Sequence, residues 1–173
     1  MNPEQAKLFV DYFVPGLENE VAITKKVIQN VPDNKMAYKP DPKSMSAQEL
    51  AWHVVSTDVW FLESIVQGKF EMDPSHKNPA PGTVKEMLDF YNKNTSALIP
   101  KIKAMSGEDL GRVISFFGMQ FPNVAYLNLM MNHMIHHRGQ LSAYLRPMGA
   151  KVPSIYGGSA DEPFQMEGAQ SGA

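Results

Sequence analysis

Cysteine is absent from the chain, and with it go disulfides, thiolate metal sites and any thiol nucleophile of the protein's own. A soft nucleophile has to arrive with a substrate. An excess of one charge is also missing. Sixteen lysines and arginines against 18 aspartates and glutamates leave a formal net charge of −2. No positive field draws phosphate backbones, so nucleic acid is not an expected partner. No uncharged apolar run is long enough to span a bilayer, and the opening Met-Asn-Pro-Glu-Gln-Ala-Lys lacks the basic region and apolar run of a secretory signal. No membrane partner is expected, and the expected location is the cytoplasm. The G-x-x-x-x-G-K-[ST], G-x-G-x-x-G, G-x-S-x-G and His-Glu-x-x-His patterns are all lacking, which sets aside the enzyme classes built on them.

What is present describes a packed helical domain. With 43% hydrophobic and 20% charged residues in 173 positions, the chain can bury one sizeable core without staples. One domain is expected over residues 1–165, with a flexible tail at 166–173, where helical periodicity has stopped. Apolar residues recur at helical spacing from Pro3 to about Asn30 (Leu8, Val10, Phe13, Val14, Leu17, Val21), which predicts a first helix. Three prolines and Asp33-Asn34 break residues 31–44. Ser46-Ala-Gln-Glu49 is a capping-box pattern and opens a second helix running to about Gln67. The connection at 68–82 carries Pro74, Pro79 and Pro81 and is longer than a helical hairpin needs, so it can cross a bundle. His76 within it reads as solvated.

A third helix is predicted from about Thr83 to Met105, kinked or ended in its first part by Pro100. Residues 106–122 are ambiguous, with Val113-Ile-Ser-Phe-Phe reading as strand or short helix. A fourth helix is expected from near Pro122 to near Pro147-Met-Gly149. The fold class is therefore all-α, a four-helix bundle.

The chemistry lies in the fourth helix, in Asn132-His133-Met-Ile-His136-His137-Arg138-Gly139-Gln140. At 3.6 residues per turn His133 and His137 lie about 40° apart and one turn along, within reach of one ion. Met130, Met134, Leu141 and Tyr144 share roughly that azimuth, so the pair is expected to face the core, whereas His136 lies about 100° away beside Asn132 and Gln140. In the second helix His53 shares a face with Leu50, Thr57, Trp60 and Phe61. A His-x-x-x-His pair alone is often two unrelated histidines bonded to backbone or water. Three imidazoles turned into one bundle are different. Unpaired ring nitrogens are costly to bury, and joint protonation would set like charges together; one divalent ion removes both problems. Three histidines without a fourth protein ligand leave a place open, as catalytic sites do.

Glu49 and Arg138 are the remaining catalytic candidates. Glu49 lies one turn before His53, where it can accept a hydrogen bond or act as a base, yet capping accounts for it. Arg138 can grip a substrate carboxylate, although solvent or a partner acid is the commoner arrangement.

Several stretches together resemble the DinB-like family of damage-inducible metal-binding proteins, which includes bacillithiol-transferase-type members. They are Tyr38-Lys-Pro-Asp-Pro-Lys-Ser-Met-Ser-Ala-Gln-Glu-Leu50 leading into His53, His133-Met-Ile-His-His137-Arg-Gly-Gln140, Val152-Pro-Ser-Ile-Tyr156 and Ser159-Ala-Asp-Glu162. The resemblance implies an up-down-down-up bundle with a long crossover between helices two and three, often homodimeric. It also implies zinc or nickel on His53, His133 and His137. Its members with a known role are thiol transferases or thiol-dependent isomerases. The leading expectation is a metal-dependent S-transferase joining a low-molecular-weight thiol, as co-substrate, to a small electrophilic molecule. The alternatives are a metal-dependent hydrolase and a non-catalytic metal-binding stress-response or interaction protein.

Overall fold

The computed structural model describes residues 1–71 and 79–164. His76 and the 166–173 tail lie outside those residues, as do residues 72–78 of the proline-bearing connection. The elements in chain order are α1 (Pro3–Gln29), α2 (Ala47–Gln67), α3 (Val84–Ala104), a short α4 (Gly107–Gly111), β1 (Val113–Phe116), β2 (Met119–Pro122) and α5 (Tyr126–Leu145). The four long helices form a bundle, with α5 as the fourth.

Local signals start these helices where the sequence puts them. Asn2, Ser46 and Thr83 cap α1, α2 and α3, each in a reciprocal box with Gln5, Glu49 and Glu86 respectively, satisfying two orphan N–H groups per helix. Gly68 ends α2 at φ 70°, a left-handed backbone that favours glycine. Pro100 does not end α3, which continues to Ala104. Proline there denies an N–H to the carbonyl of Ser96, but Pro100 and Ser96 are both exposed, so water can take the freed acceptor. Pro15, on the exposed face of α1, is tolerated in the same way.

Cross-helix contacts fix the directions. Trp52 meets Phe90 with ring centroids 5.0 Å apart, and Tyr91 donates a 2.6 Å hydrogen bond to Asp58, so α2 and α3 run parallel. Lys7 Nζ donates to the Lys103 carbonyl at 2.8 Å, placing the start of α1 beside the end of α3. The Asn123 amide donates to Ile65 O at 2.8 Å, so α5 starts where α2 ends. The order is up-down-down-up, and the crossover between α2 and α3 is what lets two consecutive helices lie parallel. A stripe of Ala6, Val10, Val14, Leu17, Val21 and Val27 from α1 meets Met130, Met134, Leu141 and Leu145 of α5 in the common core.

One open expectation is resolved here in favour of the strand alternative, and one is corrected. The ambiguous 106–122 stretch is a one-turn helix followed by an antiparallel hairpin, paired Val113 to Pro122 and Phe116 to Met119. The fold is thus helical with one small sheet among the described residues. Pro122 closes β2 and does not open a helix; a 3₁₀ turn at Asn123–Ala125 intervenes before α5.

Arg138 lies in the core line of α5 with 1% of its surface exposed. Its guanidinium donates to Glu20 Oε2 at 2.6 Å, to Thr24 Oγ1 at 3.4 Å and to the hydroxyl of Tyr156. The Tyr156 hydroxyl in turn donates to Glu20 Oε2 at 2.8 Å. The partner acid, and not a substrate, is what Arg138 binds. The stretch after α5 is held down by the same residues and by Glu162, which accepts from Lys26 and from the Ser154 N–H. These bonds hold Glu162's carboxyl pKa down at about 2, chiefly through Lys26. Replacing Arg138 with leucine strands Glu20, whose side chain is only 12% accessible. The expected loss is about 3–5 kcal/mol in urea unfolding, partly recovered by adding Glu20→Gln. A loss below about 1 kcal/mol would mean that the pair behaves as a surface bridge.

Candidate metal centre

The capping box at Ser46 starts α2 so that His53 falls two turns in, on the flank that faces α5. There it meets the one-turn pair of α5. Ring centroids are 4.8 Å apart for His53 and His133, 4.7 Å for His53 and His137, and 4.4 Å for His133 and His137. One ring nitrogen from each residue lies within 4.8 Å of the other two. The shortest separation, His53 Nε2 to His133 Nε2, is 3.0 Å. Two imidazole nitrogens on one tetrahedral ion sit roughly 3.3 Å apart, so this spacing already approaches a shared ligand shell.

The outward nitrogens are held differently. Nδ1 of His137 is 2.8 Å from Gln140 Oε1, and Nδ1 of His53 is 3.4 Å from Thr57 Oγ1. Such partners set the tautomer and turn the other nitrogen inward. Nδ1 of His133 is buried without a partner. Burial first, then the neighbouring His137, His53 and His136, hold the His133 pKa down at about 4. The ring is therefore neutral at neutral pH, the form that ligates metals. Three imidazoles with converging nitrogens are a donor set that can hold a divalent ion.

All three histidines are half-buried, which revises their expected place. The fully buried line of α5 is Met130, Met134, Arg138, Leu141 and Leu145, and the pair lies about 60–100° to one side of its centre. The cluster occupies the α2–α5 seam beside the core. His136 is exposed; its ring packs on His137 with centroids 4.8 Å apart, and it adds no atom to the cluster.

A cleft of about 1130 Å³ reaches the cluster from outside, with His53 and His133 in its wall. Trp52, Trp60, Phe116, Phe117 and Leu129 supply apolar walls, and Gln48, Ser56 and Thr57 supply hydroxyl and amide groups. Glu49 is at the rim, but its carboxylate accepts from the Ser46 N–H at 2.7 Å and lies 3.4 Å from Lys39 Nζ. These bonds, led by the Ser46 N–H, lower its pKa. It is a capping residue already committed, poorly suited to take a proton.

Sequence reasoning passed over Asp58 and Tyr91. Asp58 is 1% exposed on an otherwise apolar face of α2, and an acid among Val54, Val55, Val59 and Leu62 was the available signal. Burial lifts its carboxyl pKa to about 8, against the hydrogen bond from Tyr91 and the charge of Arg138. Asp58 therefore stays protonated in the folded protein near neutrality.

The DinB family model matches residues 6–168. Over 154 residues the chain is 27% identical to the uncharacterized protein YrdA of Bacillus subtilis (strain 168), covering 88% of this chain and 91% of that protein. A DinB-like protein from Bacillus cereus ATCC 10987 superposes with a TM-score of 0.72 at 29% identity, over 83% of this chain and 95% of that one. A DinB-like protein from Bacillus subtilis, YjoA, does so with a TM-score of 0.66 at 26% identity, over 86% and 96% of the two chains.

Asp58 generates a pH prediction. Unfolded, it ionises near 3.8, and folded near 8, so between those values the unfolded chain binds fewer protons and stability falls as pH rises. Asp58→Asn, which cannot ionise, should gain stability on the wild type progressively from about pH 4 to pH 8 and by a constant amount above. Urea midpoints across that range check it; a difference independent of pH contradicts it.

Proposed function

The chain belongs to the DinB family, and on that premise we propose that it binds one divalent ion, zinc or nickel, through His53, His133 and His137 and uses it as a thiol S-transferase. The observation that carries this reading is the convergence of three ring nitrogens from two helices within 4.8 Å, at the wall of an open cleft. When bound, the ion supplies Lewis acidity, which lowers the pKa of a thiol or water taking its open place. The protein's residues do the rest. Gln140 and Thr57 orient His137 and His53, and the α2–α5 seam sets the spacing. Rings of Trp52, Trp60 and Phe116 exclude water from the cleft, and its hydroxyl and amide groups can orient a small substrate.

A thiol as nucleophile fits two further features. The chain has no cysteine to compete for the ion, and the one carboxylate among the described residues lining the cleft, Glu49, is committed to Ser46 and Lys39. A low-molecular-weight thiol needs no protein base once its pKa is lowered; general-base chemistry would. Hydrolysis is the second reading, supported by the three-histidine donor set with an open place. Turnover that requires an added thiol favours the first, and thiol-independent turnover favours the second.

Elemental analysis of the untagged protein should give one equivalent of zinc or nickel. His53→Ala and His137→Ala should each lose it, and His136→Ala should keep it. Equal loss in all three variants would contradict the ligand assignment, and full retention in all three would remove the site from this seam.

A further inference from the structure

The hairpin between α4 and α5 has a tip that local chemistry does not favour. Phe116 pairs with Met119, leaving Phe117 and Gly118 as a two-residue loop with φ 46° and 80°. Positive φ at both positions is the type I′ pattern, in which asparagine, aspartate or glycine suits the first place and a bulky side chain is strained. Phe117 is also 78% exposed. The tip is nevertheless firmly placed. Tyr126, fully buried, donates to the carbonyls of Ile114 and Met119 at 3.1 and 3.2 Å. Phe116 packs on Phe70 and Trp60 with centroids 4.5 and 5.5 Å away. A strained, exposed phenylalanine on an anchored hairpin has no part in the core, yet it lines the cleft that reaches the histidines.

The chemistry of the cleft limits what it can take. No lysine or arginine is among its described lining residues, and its one carboxylate, Glu49, is paired with Lys39. Among the described residues an anion would meet indole and phenyl rings and no cation other than Lys39, which Glu49 already holds, to replace its lost hydration. A cation would meet, among the same residues, no uncommitted acid and, with the site loaded, a second positive charge. An uncharged ring system loses little hydration and gains the aromatic walls.

We propose that this cleft is a subsite for an uncharged, apolar, ring-bearing compound, and that Phe117 at the hairpin tip is the residue that selects it. The inference gives the electrophile of the thiol-transfer reading a chemical class. It rests on that reading for the reaction and not for the binding.

The test uses N-phenyl-1-naphthylamine, an uncharged fluorescent ring compound, and its sulfonated counterpart 1-anilinonaphthalene-8-sulfonate. Both are titrated into the full chain after EDTA treatment and again after zinc loading. The neutral probe should bind in both preparations, at least about tenfold more tightly than the sulfonate to the EDTA-treated chain. Phe117→Asn and Phe117→Gly, which both suit the turn, should keep or raise the thermal midpoint, leave zinc content unchanged and weaken the neutral probe about fivefold. Two results overturn the proposal: equal or tighter sulfonate binding by the EDTA-treated chain, or wild-type affinity for the neutral probe in either variant. Probe binding without zinc uptake would leave the subsite standing while removing the metal reading, so the two fail separately.

Discussion

The register in which α2 lies antiparallel on α5 is the constraint on which the rest depends. At one end the Asn123 amide donates to Ile65 O, and toward the other His53 meets His133 and His137. A slip of one residue along either helix would turn a histidine by about 100° and dissolve the cluster. Further contacts hold α5 in place. Arg138, one residue beyond His137, is locked to Glu20 and Tyr156, and Tyr91 of α3 lies between Asp58 of α2 and Met134 of α5. Buried polar bonds specify geometry more narrowly than apolar packing does. Here they sit on the core side of the helices whose outer seam carries the histidines.

The bundle was legible because its helices are long and their signals agree. The capping box at Ser46 precedes an apolar-periodic run and forms as written, and α3 starts beside Thr83 as expected. The hairpin was legible only in part, since Val113-Ile-Ser-Phe-Phe read equally as a strand or a short helix. β1 alternates, with Val113 and Ser115 exposed and Ile114 and Phe116 turned inward, but it is only four residues long, and β2 has no alternation and no buried residue, so no period-2 face announces the second strand. Pro100 misled because its effect depends on whether the freed carbonyl can reach water, and that is set by which face of α3 looks outward.

For the site, spacing showed which histidines can meet but not how deep they lie. The helical wheel put His133 and His137 near Met130 and Met134, and the difference between core and seam is a rotation of about 60–100° about α5. Only the neighbouring helices decide that angle. The role of Arg138 was likewise undetermined, since Glu20 is 118 residues away in the chain. The cleft owes part of its wall to Phe116 and Phe117, so the element hardest to read contributes to the surface that a substrate would touch.

The central claim is that one ion sits on three imidazoles with a place left open for a thiol. X-ray absorption at the metal edge of the zinc- or nickel-loaded protein tests it most directly. The account predicts three imidazole nitrogens at about 2.0–2.1 Å and a light atom in the open place for zinc, with a sulfur appearing near 2.3 Å once a small thiol is added. A shell with fewer than three imidazoles, or one that admits no sulfur, would contradict it.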